Sequence, residues 1–295
     1  MMIEQSAEAA GGGRTIVVEG APLWVQETGT EGPAVVFSHG LLLTHDLFDA
    51  PLAALADTYR CVAYDHRGQG RSATGGILYA IDIERFYQDA LALIESLDAA
   101  PCHWVGQSLG SYVGMRLAAR RPDLVRSLVL LSPRVRANTQ WFVVQVEILC
   151  LAVRAAQAPG PAGHALRRAL ATYAMHELLG PTFMSDAARV HDRQVFRTDL
   201  MTRITPATIP AIRGTVRYPD NWPAMLAQIR APTLIIAGEE DRTYDTGVQH
   251  AREVQDAVPG SRLITVARAG HALLLEQPAI VSEAIVDFLR SIDHA

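Results

Sequence analysis

The chain has 295 residues, 49% hydrophobic and 19% charged, with a formal net charge of −5. That is enough for one large domain, or one domain with an insertion, to bury its core without disulfide staples. All 26 basic residues are arginine, so Schiff-base lysine, Walker-type phosphate lysine and Ser–Lys chemistry are excluded, and the acidic balance argues against non-specific binding of nucleic acid.

Residues 1–14 are rich in small residues, end in Gly11-Gly12-Gly13 and lack the basic start and apolar stretch of a signal peptide. They read as a flexible tail. Residues 15–19 and 23–27 predict two short strands around Gly20-Ala21-Pro22, and 34–38 a fully buried strand ending at His39-Gly40. A helix over 46–57 and a strand over 60–64 follow. The apolar face of 81–97 predicts a helix, 103–107 a strand, 109–120 a helix closed before Pro122, and 126–131 a strand. The alternation resumes with strands over 233–237 and 263–266 and helices over 246–258 and 278–292. Strands alternating with helices predict a mostly parallel sheet covered on both faces.

Between them, residues 136–230 show little strand pattern and predict helices over 139–156, 163–179, 186–201 and 206–214. This insert holds 11 arginines against six acidic residues, a formal +5, which leaves the remainder at −10. The expected organisation is a core formed by 15–135 and 231–295 and a basic helical insert over 136–230. Cys61, Cys102 and Cys150 are few, odd in number and far apart, and read as buried free thiols. The longest apolar stretch, 141–151, is interrupted by Gln145 and Glu147 and is too short to span a bilayer. A soluble cytoplasmic protein with no membrane partner is the expectation, and no His, Cys or carboxylate spacing suggests a metal site.

Gly106-Gln107-Ser108-Leu109-Gly110 lies where the strand His103-Trp104-Val105 runs into a helix. A serine at such a sharp turn is held in a strained conformation that lifts its hydroxyl above the sheet edge. The flanking glycines let strand and helix approach, and the helix N-terminus offers N–H groups to a developing oxyanion. A serine hydroxyl needs a base, and the base an orienting acid. On folds with this elbow they follow in the order Ser, acid, His. His271 is the only histidine in the loop after 263–266. Asp241 follows 233–237 through Gly238-Glu239-Glu240, and its place in the loop favours it over Glu239, Glu240 and Asp245. His39-Gly40-Leu41 suggests that the amides of Leu41 and Leu109 form the oxyanion hole, with the His39 side chain structural. Asp65 and Arg67 read as residues holding a turn, His103 as a satisfied core residue, and His45 as a side chain that could face the pocket.

Residues 15–289 resemble the α/β-hydrolase family. The resemblance rests on Phe37-Ser38-His39-Gly40, the run from Tyr64 through Asp65-His66-Arg67-Gly68 to Ser72, the Val105-to-Gly110 elbow, Gly238-Glu239-Glu240-Asp241, and Gly270-His271. It implies an eight-stranded, mostly parallel sheet with helices on both faces and a helical cap over the active site. It also implies Ser108 as nucleophile, Asp241 as acid and His271 as base, with no cofactor. The run around Arg67 and the cap position look most like small lactonases and esterases of the 3-oxoadipate enol-lactonase type. Ser111 stands where many relatives have glycine. A serine nucleophile disfavours haloalkane dehalogenase and epoxide hydrolase chemistry. Leu41-Leu42-Leu43 replaces both the Gly-rich oxyanion loop of many lipases and the Ser-Gly-Pro-Gly stretch typical of C–C bond hydrolases.

The implied activity is hydrolysis of a small-molecule ester or lactone through an acyl-enzyme. C–C bond hydrolysis, cofactor-free perhydrolysis and acyl transfer remain open on the same fold, as does a slow-turnover ligand receptor. Residues 141–151 predict a helix apolar nearly all round, hence buried. Trp141, Phe142, Met184 and Trp222 are the candidate substrate contacts, in an apolar pocket. The cap arginines could attract a carboxylate-bearing substrate, and an apolar cap face could pair with another subunit.

Overall fold

A computed structural model describes residues 5–9, 12–72, 81–135, 140–216, 222–242 and 247–294, with main chain alone at 5–9 and 222. Its strands are β1 (Gln5–Ala9), β2 (Gly13–Val18), β3 (Ala21–Thr28), β4 (Ala34–Ser38), β5 (Arg60–Tyr64), β6 (Cys102–Gln107), β7 (Val125–Leu131), β8 (Thr233–Gly238) and β9 (Arg262–Val266). They form one sheet in the order β1-β2-β3-β5-β4-β6-β7-β8-β9. Every pair from β5 to β9 is parallel, whereas β3 is antiparallel to both its neighbours. The expected eight strands are present, and β1 extends them at the β2 edge. A strand therefore occupies part of the stretch read as a tail. Gly12 turns the chain at φ +74°, and a Cβ on Gly13 would overlap the Trp24 ring. Gly12 and Gly13 are a turn and a close approach.

Period-two alternation sends side chains of the central strands into two separate cores. Phe37, Ala63, Val105 and Val129 face one side, and Val36, Val62, Trp104 and Leu128 the other. The first side is covered by α1 (Asp49–Leu55), α11 (Leu273–Glu276) and α12 (Pro278–Asp293), the second by α2 (Ile83–Ser96), α3 (Leu109–Arg120) and α10 (Gly247–Ala257). The single helix predicted over 46–57 is a 3₁₀ turn, His45–Phe48, followed by α1. The three cysteines are free and buried.

Between β7 and β8 come α4 (Gln140–Ala155), α5 (Pro161–Leu178), α6 (Pro181–Ser185), α7 (Val190–Arg203), α8 (Ile209–Val216) and α9 (Trp222–Leu226). The four predicted insert helices appear as α4, α5, α7 and α8. The one predicted from Asp186 starts later, because Asp186 caps a short 3₁₀ turn by accepting from the Ala188 amide at 2.9 Å. The expected all-round burial of α4 is not found. Val146, Cys150 and Val153 are buried, while Trp141, Val144, Ile148 and Leu151 are exposed. One side of α4 meets the rest of the protein, and hydrophobicity alone cannot indicate which side that is. No described helix is long and apolar enough to cross a membrane.

The nucleophile candidate is positioned by a contact that only glycine permits. A Cβ on Gly110 would overlap the Ser38 carbonyl oxygen, and one on Gly106 would overlap the Gly110 carbonyl. Strand β6, helix α3 and strand β4 are thus in backbone contact around Ser108. Gly110→Ala should lower unfolding free energy by about 1–3 kcal/mol, read from a urea titration. An unchanged midpoint would show that β4 and α3 separate at no cost.

Candidate active site

Ser108 occupies the turn between β6 and α3 at φ 51°, ψ −105°, a left-handed conformation unusual for a side-chain-bearing residue. Its amide donates to the Leu131 carbonyl at 2.9 Å and its carbonyl accepts from Tyr112 N–H at 3.1 Å, which holds the strained turn from both sides. The loop after β4 lies directly against it: a Cβ on Gly40 would be 3.3 Å from Ser108 Cβ. In that loop Leu42 N–H donates to Gln69 Oε1 at 2.9 Å and Leu43 N–H to the Gly40 carbonyl at 3.1 Å. Among the described residues the Leu41 amide has no protein acceptor. Leu109, as first residue of α3, has none within its helix. Both residues line the same cavity as Ser108.

His271 Nδ1 is 2.8 Å from Asp241 Oδ2, so Nδ1–H donates to the carboxylate and Nε2 keeps its lone pair. Both side chains are buried and both line the cavity with Ser108. No hydrogen bond joins Ser108 to the imidazole, and such bonds commonly tighten only with substrate. Burial disfavours the charged His271 ring, but the Asp241 carboxylate outweighs it and the net shift is upward from the ordinary imidazole value. The competing acids have other partners. Glu240 accepts from Thr182 N–H, and Glu239 from the Thr265 hydroxyl at 3.4 Å. Asp245 lies outside the described residues.

His39 is structural: Nδ1–H donates to the Gly40 carbonyl at 2.7 Å and Nε2 accepts from His66 N–H at 3.0 Å. Burial holds its pKa below the ordinary value. Asp65 accepts from the amides of His45 and Arg71 at 2.8 and 2.7 Å and binds His45 Nδ1 at 2.9 Å, while Arg67 pairs with Asp89. These residues hold the turn. His45 faces Asp65 and is not in the wall of the Ser108 cavity.

Residues 31–278 match the sequence model of the serine aminopeptidase family S33. The chain belongs to the S33 family. It is 29% identical to a candidate carbamate hydrolase, RutD, of Pseudomonas syringae pv. syringae, over 88% of this chain and 94% of that relative. It is also 29% identical to a candidate non-heme bromoperoxidase, BpoC, of Mycobacterium tuberculosis, over 81% and 86% of the two chains. Among solved structures, the enol-lactonase of Burkholderia xenovorans LB400 superposes with a TM-score of 0.80 at 23% identity, over 94% of this chain and 99% of that one. The fold of this S33 member is thus the α/β-hydrolase fold, and its relatives carry the names of differing activities.

The cavity of this S33 member measures about 390 Å³, within the usual range for small-molecule sites. Its apolar wall comes from Phe142, Val146 and Leu149 of α4, Leu170 and Ala174 of α5, and Ile212 of α8. Of the candidate substrate contacts, Phe142 lines it. Trp141, one position and about 100° away on α4, is 69% exposed and does not. Met184 packs against the core cluster outside the wall, and the Trp222 side chain lies outside the described residues. Arg134, just before the insert, is the arginine of the described wall; no described insert arginine reaches it. Among the described residues no group of three or more His, Cys, Asp or Glu could hold a metal ion.

Sequence reasoning missed Gln107, Ser132 and Glu276. Gln107 Nε2 and Ser132 Oγ donate to the His271 carbonyl at 2.8 and 3.0 Å. Glu276 accepts from the amides of Gly270 and Gly180. A readable signal existed only for Glu276, an acid directly at the end of the apolar run from Ala272 to Leu275. Asp241→Asn should move the His271 titration, followed by imidazole proton NMR, to lower pH, because burial alone favours the neutral ring. An unmoved midpoint would show that Asp241 does not carry the upward shift.

Proposed function

We propose that this S33-family hydrolase cleaves a carboxylic ester or lactone of moderate, largely apolar character through a Ser108–His271–Asp241 relay. The observation that carries this reading is the 2.8 Å bond from His271 to Asp241 at the wall of the same apolar cavity as the strained Ser108. His271 Nε2 takes the hydroxyl proton as Ser108 Oγ adds to the acyl carbon. The carbonyl electron pair moves onto oxygen, where the amides of Leu41 and Leu109 receive it. One such donor contributes about 3–4 kcal/mol of transition-state stabilisation. The imidazolium then returns its proton to the departing alkoxide oxygen as the acyl–oxygen bond breaks. Water, activated by the same base, adds to the acyl-enzyme and releases the acid and Ser108. Asp241 holds the ring tautomer and stabilises the imidazolium.

Selectivity is expected from the largely apolar cavity wall. Among the described insert arginines none lines it, and several are engaged elsewhere: Arg213 with Glu147, Arg193 with the carbonyls of Phe183 and Asp186, and Arg203 with Asp46. A carboxylate-bearing substrate would find its one described arginine in Arg134, outside the insert. Carbamate cleavage is the second reading, favoured by the name of the Pseudomonas relatives; it uses the same addition to an acyl carbon.

Ser108→Ala and His271→Ala should each reduce kcat on an ester panel by about 10⁴-fold or more, and a fluorophosphonate probe should label the wild type and not Ser108→Ala. Near-normal ester turnover by either variant would sink the reading. Faster turnover of carbamates than of esters and lactones would move it to the second class. Leu149→Trp should cut kcat/KM for long-chain acyl esters by roughly 10- to 100-fold while sparing acetyl esters. An equal loss on both would mean that the acyl chain does not lie against α4.

A further inference from the structure

Three chain segments, distant in sequence, meet behind His271. Glu276, buried at the end of α11, accepts from Gly270 N–H through Oε1 at 2.9 Å and from Gly180 N–H through Oε2 at 2.8 Å. Gly270 immediately precedes His271, and Gly180 is the residue where the cap chain leaves α5 for α6. The two glycines are in backbone contact: a Cβ on Gly270 would overlap the Gly180 nitrogen. Ala272 N–H, on the other side of His271, donates to the Leu178 carbonyl at 2.8 Å. The neighbouring acid loop joins the same junction. Glu240 accepts from Thr182 N–H at 2.8 Å and from the Thr182 hydroxyl, and its own amide donates to the Ala269 carbonyl at 2.8 Å. Helix α5, which ends here, carries Leu170, Ala174 and Leu178 of the cavity wall.

We propose that Glu276 is a positioning residue of the hydrolytic site: its carboxylate bolts the His271 loop to the cap at Gly180, so that imidazole and cavity wall keep one relative geometry while both oxygens can accept. The proposal rests on the assignment of His271 as the base. A protonated carboxyl has lost its charge and carries an O–H on one oxygen, which makes that oxygen a much poorer acceptor for the amide that faces it. Protonation therefore loosens the hold on either the base loop or the cap.

The surroundings place this event in the working range. Burial raises the Glu276 pKa to about 7, against the lowering effect of the two amides, and the Glu240 and Asp241 carboxylates of the acid loop push it up further. From the base loop the titratable neighbour is His271, whose imidazolium is in turn favoured by Glu276. From the cap, residues 179–183 carry no charge, and Glu177 is one turn back on α5. Two groups must then lose a proton before the site is competent, His271 to act as base and Glu276 to accept both amides. The acid limb of kcat/KM should accordingly fall with a slope approaching two protons.

The test compares wild type, Glu276→Gln and Glu276→Asp on one ester across pH 5–9, with thermal melting to confirm folding. Glu276→Gln cannot present two acceptors, and is expected to lose about 10- to 100-fold in kcat with a smaller change in KM, and to reduce the acid limb to one proton. Glu276→Asp keeps the charge but not the reach, and should lose kcat while retaining the two-proton limb. A one-proton limb in the wild type would overturn the proposal without any variant, as would Glu276→Gln with wild-type kcat and slope. Fluorophosphonate labelling of Ser108 separates the two levels: a wild type that does not label refutes the serine-hydrolase assignment, whereas labelling with an unaffected Glu276→Gln refutes only the role of Glu276.

Discussion

The carbonyl oxygen of His271 accepts from Gln107 at 2.8 Å and from Ser132 at 3.0 Å, and the geometry of the site depends on that pair of bonds. Gln107 closes β6 and is covalently next to Ser108; Ser132 follows β7. His271 arrives from β9 at the sheet edge, yet its backbone is held from the ends of the central strands β6 and β7, the first of which also places Ser108. Any shift of β6 therefore moves Ser108 and the His271 loop together. This couples the placement of the two side chains without a direct hydrogen bond between hydroxyl and imidazole.

Backbone strain is gathered at the same edge. Of the six described non-glycine residues with positive φ, four follow the C-terminal ends of parallel strands: Leu42 after β4, Ser108 after β6, Ser132 after β7 and Arg268 after β9. Each such residue costs of order 1–3 kcal/mol. Beneath the first three of these, β4, β6 and β7 are almost wholly buried, so those turns are over-determined by a sheet that cannot relax to relieve them. The edge beyond strand carboxyl ends is where ligands bind in open α/β sheets, and Leu42, Ser108 and Ser132 all line the cavity there.

Strands β4 and β5 and helix α3 were legible to the residue, because their apolar runs are bounded by glycine, proline or charge and both faces demand burial. The placement of Ser108 at a strand–helix turn and of His271 in the loop after β9 was legible because each has a local signature, an elbow and a lone loop histidine. Asp241 was only favoured: four acids within seven positions look alike as a string, and the one that meets His271 is decided by how Gly238 and Gly247 pack against the loop. The lining of the cap was less legible. Trp141 and Phe142 are equally apolar neighbours, and about 100° of helix rotation sends one to solvent and the other to the cavity. The partnerships of Gln107 with His271 and of Glu276 with Gly180 span 164 and 96 residues and leave no local pattern to read. The edge strand β1 was hidden for the opposite reason, since its composition is that of a loose end and its structure comes from pairing.

The all-arginine basic set has a structural consequence that net charge conceals. A guanidinium offers several donors in a rigid plane, where an ammonium is a point charge. Arg60 uses Nε and Nη2 on Glu27 and Nη1 on the Leu97 carbonyl, so one side chain of β5 ties β3 to the end of α2. Glu27 also holds Arg14 of β2, and although burial opposes its charge, the two guanidiniums keep its pKa below the ordinary value. In the insert, Arg193 spans two carbonyls around α6, Arg167 reaches the Ala156 carbonyl, and Arg213 grips Glu147 with two nitrogens. Such pairs at partly exposed positions add little stability singly, but they tie helix ends and connections to neighbouring helices. Part of the formal +5 of the insert is therefore engaged in bracing: Arg167, Arg193 and Arg213 are turned to partners within the insert, and none of the three lines the apolar cavity that contains Ser108.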